Sequence, residues 1–259
     1  MDHSELVAKR VMERVVPGAA MVYRSDQSAG QHDFDLELPD GTREPVEVTA
    51  SVDERRERTV AAILNERKGG PFVPIKRCQY DWLVHALASA NINRIRAQVD
   101  DYLAEVEAAG ITRFFSPTDA DENPPVQRIY ADLGVDAGGV AKWNPPGRIA
   151  ITTPGGGGVV GTQHLHTALE TEAAKDDNRR KLRAASGSTR HLFVYIHPGN
   201  FLPWVALIDL EPPPTGPALP DEVDVIWAAT ETRSPTTYAV WRATRRAGWT
   251  YHGIVEGAV

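Results

Sequence analysis

The stretch HDFDLELPDGTREPVEVTAS, residues 32–51, predicts a β-hairpin that carries acidic side chains along one face. Alternation with a period of two places Asp33 and Asp35 on the polar side of the first strand and apolar side chains on the other side. The residues Pro39-Asp40-Gly41 are a turn signal, and the returning strand alternates in the same way, with Glu47 on its polar side. Acidic side chains of both strands therefore converge if the two polar sides coincide.

The pair Asp35 and Glu47 is the one that this hairpin is expected to bring closest when the chain turns at residues 40–41. Like charges on adjacent strands repel each other unless a cation lies between them, and carboxylates are ligands that Mg²⁺ prefers. Such a site supports phosphodiester cleavage. Asp33 points the same way and is the alternative ligand. A half-solvated hairpin whose polar face simply meets water is the other interpretation of the pattern.

Composition indicates a globular protein with a large core and no membrane segment. The chain has 259 residues, of which 42% are hydrophobic, and its one cysteine excludes an internal disulfide and a multi-cysteine metal cluster. The longest apolar runs, such as residues 201–210, are too short to span a bilayer, and the N-terminus has no charged-then-apolar leader. We therefore expect a cytoplasmic protein that does not bind membranes.

Charge is unevenly distributed along the chain. The formal net charge of −7 argues against a protein that coats nucleic acid non-specifically. Residues 1–54 hold 12 acidic and 5 basic side chains, residues 55–190 hold 16 and 19, and residues 191–259 hold 7 and 4. An acidic segment with a candidate metal site, followed by a mildly basic segment, suits an enzyme that grips a polyanion through local patches and a bound cation.

Helices and strands are mixed throughout, which predicts the α/β or α+β class. Periodicity, caps and turn signals place the elements as follows: helices over 4–15, 53–68, 92–110 and 161–186; strands over 21–25, the hairpin 32–51, 190–197, 201–210, 223–230 and 238–245; and short β-like pieces at 126–133 and 147–153. The strand over 190–197 is apolar on both faces and should be buried. The run PGGGGVVG, residues 154–161, lacks the fingerprint of a phosphate-binding loop and predicts a turn.

The order helix, three strands, helix and buried strand, with Asp35 on the second strand and Glu47-Val48-Thr49 on the third, resembles the PD-(D/E)XK nuclease superfamily. The resemblance implies a restriction-endonuclease-like αβββαβ core around a mixed central sheet, in a single domain. Its parts are a core over 1–51 and 161–197, a long helical insertion over 52–160, and a C-terminal β extension over 198–259.

The resemblance also implies roles for individual carboxylates. In that superfamily the Asp and the first residue of the acid-x-Lys triplet hold Mg²⁺, so Asp35 and Glu47 are the implied ligands of Mg²⁺ or Mn²⁺. Asp33 competes for the same role. Glu13, late in the first helix, is placed as the further carboxylate that some members contribute, although an exposed helical Glu gives the same pattern.

This chain departs from the superfamily at the lysine of the triplet. Thr49 stands there, and its hydroxyl can hydrogen-bond a water but carries no positive charge. Lys175 and Lys181, on the matching helix, are placed to supply the missing charge to the transition state. The alternative is that the run KDDNRRKLR is a solvated helix C-terminus, where positive charge favours the helix dipole.

The sequence therefore predicts a metal-dependent nuclease that acts on nucleic acid, DNA rather than RNA, with a homodimer as one arrangement. A catalytically inactive module of the same fold that binds nucleic acid or a protein partner is the alternative. A third interpretation is a structural protein of an unrelated α+β fold whose hairpin mimics the motif.

Overall fold

The computed structural model describes residues 1–24, 30–115, 119, 122–153, 161–209, 211–212, 215–232, 234, 236–245 and 247–256. The chain divides into two compact units, one formed by residues 1–52 with 158–259 and the other by residues 53–157. The predicted insertion 52–160 corresponds to the second unit, which has its own sheet and its own core. The predicted turn at 154–161 lies outside the described residues except for Gly161.

Both units contain helices and strands. The elements are α1 (His3–Val15), β1 (Ala20–Tyr23), β2 (Phe34–Glu37), β3 (Arg43–Ser51), α2 (Glu54–Leu64), a short 3₁₀ helix (Glu66–Lys68), β4 (Phe72–Pro74), β5 (Asp81–Ala86), α3 (Ile92–Ala108), β6 (Arg113–Phe115), α4 (Pro124–Leu133), β7 (Val135–Ala141), β8 (Arg148–Thr152), α5 (Thr162–Ala174), α6 (Asp176–Ala184), β9 (His191–Ile196), α7 (Phe201–Asp209), β10 (Val225–Glu231), β11 (Thr237–Thr244) and β12 (Gly248–Glu256).

The described strands of the first unit form a mixed sheet in the order β1-β2-β3-β9-β10-β11-β12. Strands β3, β9 and β10 run parallel at its centre, and the outer pairs on both sides are antiparallel. The predicted mixed α+β class is confirmed. All six residues of β9 are buried, which confirms the prediction that this strand lies inside the sheet beside the hairpin.

Two hydrophobic clusters cover the two faces of this sheet. Helix α1 packs on one face, where Val11 contacts a cluster that includes Phe34 and Val46. Helices α5, α6 and α7 pack on the opposite face, in a cluster that includes Leu169 and Leu182. Successive residues of β3 point to opposite faces, so Glu47 lies on the side of α5 and α6.

The hairpin has the predicted turn and a defined register. Leu38 N–H donates to Thr42 O at 2.8 Å, and Gly41 has a φ of +84°, which favours glycine. The register places Phe34 opposite Val46 and Asp35 opposite Pro45. When the same register is continued by one residue pair beyond Phe34 and Val46, Asp33 lies beside Glu47, whereas Asp35 does not.

Two predicted strands are helices in the structure. Residues 201–210 were expected as a strand, but Phe201–Asp209 is α7, because a short continuous apolar run does not distinguish a buried strand from a buried helix. Residues 126–133 were expected as a β-like piece, but they belong to α4, which starts at Pro124 and ends at the left-handed Gly134. Both predictions were wrong.

The second unit is a five-stranded sheet in the order β4-β8-β5-β7-β6. Side chains of α2, α3 and α4 share one core with it, around the fully buried Trp82. Within the described residues of the whole chain, no helix is both long enough and apolar enough to cross a membrane.

Candidate active site

Glu47, on β3, is a buried carboxylate in contact with a lysine of α6. Its side chain is 2% exposed, and Lys181 Nζ lies 2.7 Å from its Oε1. Lys181 Nζ also lies 3.3 Å from Asp177 Oδ2 on the same helix. The prediction that a lysine of this helix can approach Glu47 is confirmed for Lys181.

Asp33 is held against β3 next to Glu47. Its Oδ2 accepts a hydrogen bond from Val48 N–H at 2.8 Å, and its own N–H donates to Val46 O at 3.2 Å. The two residues that Asp33 contacts, Val46 and Val48, are the immediate sequence neighbours of Glu47. Asp33 is itself buried, so the site contains two carboxylates that are largely removed from water.

This environment changes the protonation of Glu47. Burial raises the pKa of Glu47 to about 8, and the negative charge of Asp33 acts in the same direction, while Lys181 opposes both. The other oxygen of Glu47, Oε2, is buried and accepts no hydrogen bond from the described residues. An unpaired buried oxygen is costly, and a cation or a proton would relieve that cost.

Asp35 does not form the expected pair with Glu47. Its Oδ1 lies 2.7 Å from His32 Nε2, and its Oδ2 lies 3.2 Å from Arg24 Nη1. The strand register accounts for this separate placement: Asp35 lies opposite Pro45, which is two residues before Glu47 on β3. The structure therefore assigns to Asp33 the position beside Glu47 that the sequence interpretation gave to Asp35.

Glu13 lies on α1, which covers the other face of the sheet. Its Oε1 accepts hydrogen bonds from Lys9 Nζ at 2.6 Å and from Met21 N–H at 3.0 Å. The four predicted metal ligands, Asp33, Asp35, Glu47 and Glu13, are thus not brought together. In the part of the chain that the structure describes, no group of three or more His, Cys, Asp and Glu side chains could hold a metal ion.

The pair Asp33 and Glu47 offers carboxylate oxygens of the kind that Mg²⁺ binds. Mg²⁺ keeps several waters and binds through one or two protein carboxylates together with substrate phosphates. The buried, unpaired Oε2 of Glu47 and the neighbouring negative charge of Asp33 supply that donor set.

The predicted helix 161–186 is broken, and the break separates the two lysines. Lys175 has extended backbone dihedral angles between α5 and α6, and the Asn178 side chain donates to Glu172 O at 2.9 Å across the break. Lys175 consequently ends α5, whereas Lys181 lies in the middle of α6. Lys175 forms an ion pair with Glu172, and Lys181 forms one with Glu47.

Thr49, Glu172 and Lys175 form a second polar cluster beside the first. Thr49 Oγ1 donates to Glu172 Oε2 at 3.0 Å, and Lys175 Nζ lies 2.6 Å from the same oxygen. Because the Thr49 hydroxyl donates its proton to Glu172, it can interact with a water only as a hydrogen-bond acceptor. Thr49 lies two residues after Glu47 and points to the same face.

Sequence reasoning missed Glu172, although a signal was present. It lies on the buried stripe of α5 with Leu165, Leu169 and Ala173, where an apolar residue is expected. An acidic residue on such a stripe indicates a buried partner. His32, buried against Asp35, was also missed, and its position follows only from the register of the hairpin.

Helix α6 is anchored by a third carboxylate, Glu222. Arg179 Nε lies 3.1 Å from Glu222 Oε2, and Arg183 Nε lies 3.1 Å from Glu222 Oε1. The hydrogen bonds from these two arginines lower the pKa of Glu222 to about 2. Arg179 and Arg183 are one turn apart and flank Lys181, so they fix the helix that presents this lysine.

No known protein family, curated protein or solved structure matches this chain.

The raised pKa of Glu47 predicts a pH-dependent stability that Glu47→Gln should remove. The folded-state pKa of about 8 lies above the ordinary value of 4.5 for a glutamate, so the stabilisation from protonated Glu47 is present below about pH 4.5 and is lost as the pH rises through 8. Metal-free wild-type protein should lose up to about 1.4 kcal/mol of unfolding free energy per pH unit in this window, relative to Glu47→Gln. Denaturant unfolding of both proteins in chelator at pH 5, 6, 7 and 8 measures this.

Glu37→Gln is the matched control, because Glu37 belongs to the same hairpin and forms a surface ion pair with Arg43. Its unfolding free energy should follow that of the wild type at every pH. Identical pH profiles for the wild type and Glu47→Gln would contradict the assignment of the titration to Glu47.

Proposed function

We propose that this protein is a metal-dependent nuclease of the PD-(D/E)XK superfamily in which α6 supplies the lysine. The observation that carries the proposal is the contact of Lys181 Nζ with Glu47 Oε1 at 2.7 Å, beside Asp33. The order α1-β1-β2-β3-α5-α6-β9, with β3 parallel to β9, supports the same proposal, because it fits the αβββαβ core of that superfamily. DNA is the proposed substrate in preference to RNA, and the proposed compartment is the cytoplasm.

Asp33 and Glu47 are the residues that would hold Mg²⁺ or Mn²⁺. When bound, the cation would supply a water of lowered pKa and positive charge for the scissile phosphate. The protein's part is to keep Glu47 on β3 and the neighbouring Asp33, which precedes β2, close together with little access to water. Burial raises the pKa of Glu47 to about 8 although Lys181 lies beside it, so at neutral pH its ionised form is favoured only when further positive charge is added.

The reaction is hydrolysis: a water oxygen bonds to phosphorus and the water gives up a proton to solvent, while the bond from phosphorus to the leaving oxygen breaks and that oxygen takes up a proton from solvent. Negative charge accumulates on the phosphate oxygens in the transition state. Lys181, held between Glu47 and Asp177, would place an ammonium where it stabilises that charge. Lys175, fixed by Glu172, would provide a second positive charge near Thr49.

The test is a cleavage assay with purified full-length protein. Supercoiled DNA, linear duplex DNA and RNA of the same sequence are incubated with chelator and then with Mg²⁺, Mn²⁺ or Ca²⁺. We expect cleavage that chelation abolishes and that added Mg²⁺ or Mn²⁺ restores, with DNA cut faster than RNA. Failure to cut any of these substrates with any of the metals would overturn the nuclease proposal.

The second candidate is an inactive module of the same fold that binds nucleic acid or a protein. Thr49 at the lysine position of the motif, with its hydroxyl committed to Glu172, favours this candidate. Binding of Mn²⁺ and of nucleic acid without cleavage in the same assay would establish it instead of the nuclease.

A further inference from the structure

The second unit contains a cleft with a volume of about 640 Å³ between α2, the 3₁₀ helix and the start of α3. Its lining includes the side chains of Arg55 and Arg58, one turn apart on α2, and of Lys68 at the end of the 3₁₀ helix. All three are exposed. Three cationic side chains from two elements thus converge on one opening.

No carboxylate lies among the described residues that line this cleft. Arg55 and Lys68 form no ion pair with any described residue. Arg58 Nε donates to Glu54 O at 3.1 Å, and its Nη2 lies 3.9 Å from Glu54 Oε2, with both side chains at least 75% exposed. An exposed ion pair of this kind is worth little. The positive charge of the cleft is therefore available to an external anion.

The N-terminus of α3 lies at the same cleft. Ile92 and Asn93, the first two residues of α3, line it, and the Asn91 side chain accepts from Arg94 N–H at 3.2 Å, one position further along. The amides of Ile92 and Asn93 donate to no described protein group. First-turn amides of a helix favour negative charge nearby, and the two residues that carry these amides line a cleft that also contains three cationic residues.

The chemistry of the lining indicates which part of a nucleic acid fits. Apart from the cations it consists of alanine, isoleucine, serine, threonine and asparagine side chains, with no aromatic ring among the described lining residues. A base would find no surface on which to stack, whereas a sugar–phosphate backbone requires cations, amides and small polar groups. The second unit as a whole is close to neutral, with 14 acidic and 13 basic residues over 53–157, so the attraction is local.

We propose that this cleft binds consecutive phosphates of a nucleic-acid backbone. The identity of the polyanion rests on the proposed function, but the binding itself requires no metal and no cleavage. The cleft gives an acidic protein a local basic surface for its substrate, because Arg55, Arg58 and Lys68 act without opposing carboxylates in its lining.

The test measures binding of a fluorescent 20-base-pair DNA duplex by anisotropy, in chelator, from 50 to 200 mM salt. The double variant Arg55→Ala/Lys68→Ala is expected to bind about 10-fold more weakly than the wild type near 100 mM salt. The slope of log affinity against log salt should become shallower by about two, one for each lost phosphate contact. A single-stranded DNA arm distinguishes duplex from single-strand preference.

The matched control is Arg67→Ala, which removes an exposed cation from the residue before Lys68, outside the cleft lining. It should keep the affinity and the salt slope of the wild type. The proposal is overturned if the double variant binds like Arg67→Ala, or if the wild type binds no duplex. Weakened binding by the double variant, in a protein that cuts nothing, would leave this inference standing and refute the nuclease alone.

Discussion

Glu47→Gln is expected to lower Mg²⁺-dependent cleavage by at least about 10³-fold while the protein stays folded. The substitution removes the charge that would hold the cation but keeps an oxygen that can accept the hydrogen bond from Lys181. At neutral pH the metal-free site already favours a protonated Glu47, so a neutral amide is a close substitute in the folded state. Single-turnover cleavage rates and Mn²⁺ affinity measure the two consequences separately.

Mn²⁺ affinity should fall together with the cleavage rate in this variant, whereas Glu37→Gln, on the same hairpin, should change neither. A Glu47→Gln protein that cuts at the wild-type rate would exclude Glu47 as a metal ligand. Because the variant is prepared in the same way as the wild type, its residual rate also bounds the contribution of any contaminating nuclease.

Lys181→Ala is expected to lower the single-turnover cleavage rate by about 10²-fold or more, with Mn²⁺ affinity retained within a few-fold. The ammonium contacts Glu47 but would act on charge that develops only in the transition state. Stability at neutral pH should change by less than about 1 kcal/mol, because Glu47 can take up a proton when Lys181 is absent.

Arg180→Ala is the control for this prediction, since Arg180 is an exposed cation on the same helix and pairs with Asp177 at the surface. It should leave the cleavage rate within a few-fold of the wild type. Equal losses in both variants would indicate a general effect of charge on α6, and loss of the folded state in Lys181→Ala would indicate a structural role.

The local features of the site were predictable from the sequence because they depend on neighbouring residues. Alternation placed Glu47 and Thr49 on one face, the turn around Gly41 closed the hairpin, and the apolar run of β9 indicated a buried strand. The choice between Asp33 and Asp35 depends instead on the register. Both residues alternate to the same side, and only the length of the loop decides which one lies beside Glu47.

Long-range partners could not be predicted in the same way. Glu172 reaches Thr49 across 123 positions of sequence, and the second unit lies between them in the chain. The break at Lys175 assigns each lysine to its own carboxylate, and it depends on a buried bond from Asn178 rather than on proline or glycine. A period of 3.6 residues continues through such a break, so sequence periodicity does not reveal it.

Glu222, which holds α6 in place, and Glu47, which contacts Lys181, ionise in different pH ranges. The Glu222 pKa of about 2 keeps the clamp on Arg179 and Arg183 charged in any physiological medium, while Glu47 changes protonation near pH 8. Acidification from pH 9 to pH 5 is therefore expected to protonate Glu47, which accepts the hydrogen bond from Lys181, while Glu222 keeps its charge and its ion pairs with Arg179 and Arg183 of α6.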